Sequence, residues 1–139
     1  MAQESGVTSD WNMESASAYG LGHEIYLLGG NGDEIRAYDT LTGVWREPGR
    51  LLMECTLSSV LKLWNGLYLI GGGSIPGGQP KGKFQGARSL DGEWFAIESV
   101  GLPPRMWGSV TSVRKKLYFI GGEHVKDMAT IYEGELKVE

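Results

Sequence analysis

An all-β array of repeated antiparallel units is the fold class predicted by this 139-residue sequence. Three observations predict it. The pattern Tyr-x-x-Gly-Gly occurs three times, built on Tyr26 with Gly29-Gly30, Tyr68 with Gly71-Gly72, and Tyr118 with Gly121-Gly122. The copies are spaced by 42 and 50 residues, a period at which one supersecondary unit stacks on the next. Each Gly pair closes a four-residue apolar run, Ile25 to Leu28, Leu67 to Ile70 and Leu117 to Ile120, which is too short for a helix and suits a strand buried on both faces.

The elements of a unit follow in order. Twelve residues before the first Gly sits Ser17, Ser59 or Ser109, each in a run of small or β-branched residues that reads as a first strand. A short polar joint follows, and in the second copy Asn65-Gly66 predicts a two-residue type I′ hairpin turn, which needs positive φ at both central positions. The apolar run is the second strand, and the Gly pair gives it a sharp exit. A third strand then reads from Ile35 to Asp39 and from Ala87 to Asp91. Thr42-Gly43 and Asp91-Gly92 mark a further turn before Trp45 and Trp94 on a fourth strand.

This unit resembles the kelch repeat of β-propeller proteins. The residues that carry the resemblance are the Gly pairs, the Tyr three places before each, the Tyr38-Asp39 step, Trp45 and Trp94, and the lead-in residues Arg50 and Arg105. It covers most of residues 15–133. The resemblance implies three blades, about 15–48, 49–99 and 100–139, after an N-terminal segment 1–14. It implies that the first strands line a central channel, where the small Ser17, Ser59 and Ser109 suit crowding. It also places the second strands between neighbouring blades and turns each Trp toward an adjacent blade.

The chain departs from the family in two ways. Closed propellers typically have about 4–8 blades, against three copies here. The last copy also lacks a Trp-bearing fourth strand, so the fold expected is a half-propeller or partial propeller with its last blade incomplete. Trp11 in the N-terminal segment is the candidate to supply that strand. Three completions stand side by side: a homodimer closing a six-bladed ring, a fragment of a longer kelch protein, or an open structure with protected edges.

Composition narrows the function. Thirteen Lys and Arg against seventeen Asp and Glu give a net charge of −4, with no basic stripe for nucleic acid. No apolar run approaches the roughly 20 residues of a membrane span, and residues 1–10 are polar rather than a secretory signal. The single Cys55 excludes an internal disulfide, so a cytoplasmic setting, with the nucleus as an alternative, is the default.

Residues 71–83 contain Gly77-x-x-x-x-Gly82-Lys83, but Phe84 stands where a phosphate-binding loop needs Ser or Thr, and no helix pattern follows. Glu123, His124 and Asp127 fall short of a converging metal set. Cys55 beside Glu54 reads as a packed small residue rather than a nucleophile. No catalytic set, metal site or cofactor is expected. The loops after the Gly pairs (Asn31, Asp33, Lys81, Lys83, His124) and the lead-in residues Arg50 and Arg105 form the candidate partner-binding rim. Arginines there suit bidentate capture of an acidic peptide, or equally an internal tie between blades.

By resemblance, kelch propellers present substrates to ubiquitin ligases or bind cytoskeletal partners. The expected function is therefore a protein-interaction module within a ligase or scaffold assembly. The alternatives are a propeller-type enzyme (sugar isomerase or oxidase) completed by oligomerisation, and an inactive structural fragment.

Overall fold

The computed structural model describes residues 16–30, 32–55, 58–71, 83–100, 109–120 and 131–137. They form eleven strands, β1 (Ala16–Leu21), β2 (Glu24–Gly29), β3 (Gly32–Asp39), β4 (Trp45–Cys55), β5 (Ser59–Lys62), β6 (Tyr68–Gly71), β7 (Lys83–Ala87), β8 (Trp94–Val100), β9 (Ser109–Val113), β10 (Lys116–Ile120) and β11 (Ile131–Lys137). All pairings are antiparallel, and no helix occurs among the described residues. Three blade-like units result: β1–β4, β5–β8 and β9–β11. Among the described residues the third has three strands, and no pairing between them closes the sheets into a barrel.

Two elements run further than the sequence indicates. β4 continues through the expected blade boundary at 48/49, and its pairing with β3 extends to Gly32 opposite Cys55. The ladder bulges between Ile35 and Ala37, which accommodates Pro48, a residue with no N–H to give. β11 pairs with β10 through Ile131–Gly134, and its last residues, Glu135–Lys137, pair with Glu98–Val100 of β8. Units two and three thereby share one seven-stranded hydrogen-bonded sheet.

Two apolar layers hold the units together. Between units one and two lie Tyr26, Leu28, Ile35, Ala37, Leu51 and Cys55 against Tyr68, Ile70, Ala87, Leu90 and Trp94. Between units two and three lie Leu63, Leu67, Leu69, Phe84 and Ile97 against Val110, Leu117 and Phe119. β6 thus buries side chains on both faces, as its unbroken apolar run requires. The first strands stack side by side: Ser17 Oγ donates to Ser58 O at 2.6 Å, and Val110 N donates to Ser59 Oγ at 3.4 Å.

The three tyrosines of the motif are not equivalent in space. Tyr26 packs toward unit two, Tyr68 turns back toward unit one and meets Tyr19 edge-on at 5.4 Å, and Tyr118 lies on the side of unit three that is uncovered among the described residues. The cause is a turn. In units one and three the hairpin loops are two residues long, Gly22-His23 and Arg114-Lys115, and they set Ser17 opposite Leu28 and Ser109 opposite Ile120. In unit two Leu63 N bonds Leu67 O and Gly66 N bonds Leu63 O, which makes a three-residue loop, Trp64 to Gly66. Gly66 has φ 87° while Asn65 is not in the positive-φ region, so the type I′ expectation is replaced by a turn with a following left-handed Gly. One extra loop residue at unchanged spacing slides Ser59 opposite Gly71, and a slip of one reverses every face.

Gly29 and Gly71 consequently serve different neighbours. Gly29 has φ 72°, and a Cβ there would lie 2.6 Å from Cys55 O and 2.9 Å from Cys55 Sγ. Gly71 is not left-handed; a Cβ there would overlap the buried Phe84 ring. Gly30, with φ 96°, donates its N–H to Cys55 O at 3.0 Å. Gly72, Gly121 and Gly122 lie outside the described residues.

Candidate functional site

The ends of the second strands define one end of the molecule. β1, β5 and β9 begin next to one another, and their pairing partners Gly29, Gly71 and Ile120 therefore finish together. Residues 31, 72–82 and 121–130 continue from this same end. The hairpin loops 22–23, 64–66 and 114–115 lie at the opposite end of their strands, His23 among them.

Of the predicted rim residues, the structure brings two together. Arg50 Nη1 donates to Asp33 Oδ1 at 2.7 Å, across the β3–β4 pair where Glu34 faces Arg50. The Arg50 side chain keeps 68% of its surface exposed, so the guanidinium has donors to spare toward solvent. Arg50 lies within β4 rather than in a joint between units. Lys83 begins β7. Asn31, Lys81, Arg105 and His124 lie outside the described residues, as does Trp11.

Two polar ties between units one and two were not foreseen. In the first, Arg46 grips Glu24 through Nε–Oε2 at 2.7 Å and Nη2–Oε1 at 2.9 Å, and Asp91 Oδ1 through Nη1 at 3.1 Å. Arg46 Nη2 also donates to Tyr26 Oη at 2.7 Å, and Tyr26 Oη donates to Asp91 Oδ1 at 3.0 Å. The hydrogen-bonded Arg46 holds the Glu24 carboxyl below the usual carboxylate range. Burial, then the bond to Asp91, pushes the Tyr26 phenol up. The motif tyrosine is therefore an anchor between units, and the Arg that serves it directly follows Trp45. A cue was present in the sequence: Trp45-Arg46 and Asp91 stand at the turn positions of their units.

In the second tie, buried Gln85 behaves as a side-chain strand. Its Oε1 accepts from Leu52 N at 2.8 Å and Met53 N at 3.1 Å, and its Nε2 donates to Met53 O at 2.8 Å. The structural tie considered for Arg50 is thus made by Gln85 in unit two. No sequence signal distinguishes this Gln from an exposed one.

Asp39 closes the β3–β4 turn. Its Oδ1 accepts from Leu41 N at 2.8 Å and Thr42 N at 3.1 Å, and its Oδ2 lies 3.2 Å from His23 Nε2. Burial would raise its pKa, but the N–H groups of Thr42 and Leu41 together with His23 outweigh it, and the carboxyl sits below its usual range. Burial raises the Cys55 thiol, with Ser58 opposing, which keeps it protonated and unsuited to nucleophilic work.

Trp94 is buried in the layer between units one and two, and its indole N–H has no acceptor among the described residues. Trp45 stands on the uncovered face of unit one against Tyr38, with ring centroids 5.0 Å apart. No group of three or more metal-ligating side chains occurs among the described residues. No helix among them is long and apolar enough to cross a membrane. A scan against protein-family models finds no match, and a search of curated proteins finds none.

Proposed function

We propose that the chain is a protein-interaction module of kelch type, which receives a protein or peptide at the end where the second strands finish. The observation that carries this reading is the convergence of Gly29, Gly71 and Ile120, so that residues 31, 72–82 and 121–130 all start from one end of the strand array. Binding segments mounted on a fixed scaffold are the usual arrangement in repeat proteins. The exposed Arg50–Asp33 pair stands at that end and offers a planar donor fork for a carboxylate. A role in a ligase or scaffold assembly follows from the kelch resemblance.

The test is affinity capture with the full chain, run beside Arg50→Glu and a version shortened within 74–83. A genuine rim partner is lost, or weakened at least about tenfold, in both variants. A partner retained equally by both refutes the assignment of this end.

A further inference from the structure

We infer that the uncovered face of unit three docks on the uncovered face of unit one in a second copy of this chain, so that two copies close head to tail. The interface between units one and two is the template. There, Tyr26 and Leu28, three and one places before Gly29, pack on the face of unit two that carries Leu90 and Trp94. Unit three holds Tyr118 and Ile120 in the same two positions before Gly121, on its uncovered side. Ile120 is 44% exposed, and Ile131, paired with it, is 58% exposed. Unit one carries the complementary set on its other face. Tyr38 and Trp45 stand where unit two has Leu90 and Trp94, with Ile25 opposite Tyr38 and 39% exposed. Each end of the chain therefore presents one half of a contact that the chain already makes internally.

Charge supports the same pairing. The unit-three face is bordered by Arg114, Lys115 and Lys116 against Glu133 and Glu135, an excess of one positive charge, and it forms an open depression of about 760 Å³. The unit-one face holds Arg36 bound to Glu34 and Glu47, an excess of one negative charge. Lys116 lies 2.5 Å from Glu133 on the Tyr118 side, which puts a cation beside Tyr118 as Arg46 stands beside Tyr26. Unlike patches that meet head to tail build a ring when the rotation closes. This assembly leaves the strand ends proposed to receive a partner uncovered, so the two readings are separable.

The test is solution mass of the full chain over a range of micromolar concentrations. The expected mass is twice the 15.2 kDa of one chain. Ile131→Lys on unit three and Ile25→Lys on unit one are each expected to give monomers, raising the dimer dissociation constant at least about tenfold. Mixing the two variants is expected to recover a dimer, because the intact face of each meets the intact face of the other; recovery also shows that both variants are folded. A monomeric wild type, a dimer that survives either substitution, a mixture that stays monomeric, or an open ladder of larger species overturns the inference.

Discussion

Substituting Ala for Gly71 and for Gly29 separates two origins of one motif. At Gly71 the nearest atoms met by the added Cβ all belong to the Phe84 ring, a side chain packed between units two and three. Overpacking of this kind costs about 1–3 kcal/mol. Phe84→Leu alone loses buried volume and costs about 1–2 kcal/mol. Combined, the smaller side chain at position 84 makes room for the methyl group added at position 71. The double variant is therefore expected to be more stable than the sum predicts by about 1–2 kcal/mol, a typical coupling for touching residues. At Gly29 the obstacles are Cys55 O at 2.6 Å and Sγ at 2.9 Å, with φ 72° besides. Left-handed backbone adds about 1–2 kcal/mol to the overpacking cost. Cys55→Ala removes the sulfur but leaves the carbonyl, so it does not rescue Gly29→Ala. Against a total stability of about 5–15 kcal/mol, Gly29→Ala is the more severe single change. Urea unfolding of the single and double variants beside wild type measures all of this, with the slope checked for constancy. Additive behaviour at positions 71 and 84, or rescue at position 29 by Cys55→Ala, would refute the reasoning.

Four further outcomes are expected. Gln85→Leu strips the partners from Leu52 N, Met53 N and Met53 O and costs about 2–4 kcal/mol in urea melts, since these three groups are only part-buried and each carries about 1 kcal/mol, the low end for an orphaned group. Arg46→Met releases Glu24, whose lowered pKa contributes stability that is full above the ordinary carboxylate range and lost as pH falls through the depressed value. The stability gap to wild type is therefore widest near neutral pH and narrows below about pH 4 in acid titrations followed by tryptophan fluorescence. Trp94→Ala costs about 3–5 kcal/mol by thermal unfolding, whereas Trp94→Phe costs less than half of that, because the indole N–H has no acceptor to lose among the described residues. Arg114→Gly relieves a φ of 58° in the β9–β10 loop and raises stability by about 0.5–1 kcal/mol in the same melts.

The unit was legible because its signals are local. Tyr26, Tyr68 and Tyr118 with their Gly pairs fix the strand count, and the absence of a Trp after Gly134 matches a third unit with three described strands. The register of unit two was not legible. Ser59 to Gly71 spans the same 12 residues as Ser17 to Gly29, and only the hydrogen bonds of Leu63, Gly66 and Leu67 reveal a three-residue loop. Spacing counts residues but does not say how many the turn consumes. The site was legible in part. Arg50, read as a lead-in residue, and Asp33, read in the loop after the first Gly pair, were both assigned to the rim; they lie within β4 and β3 and do meet. Arg46, Asp91 and Gln85 did not stand out, because their significance comes from a neighbouring unit reached across 45, 65 and 32 residues of chain.

The strand β11 that leaves unit three to pair with β8 has a consequence for how the chain comes apart. Backbone hydrogen bonding runs without a gap from β5 to β9, and it stops between β4 and β5. Among the described residues, unit one is fastened to the rest through side chains, the Arg46 grip, the Gln85 bridge, the Ser17–Ser58 bond and the Tyr26 layer, apart from the covalent link. The energy landscape therefore has a seam. Amide hydrogen exchange should report two cooperative blocks, residues 16–55 opening at lower free energy and the seven-stranded block at higher.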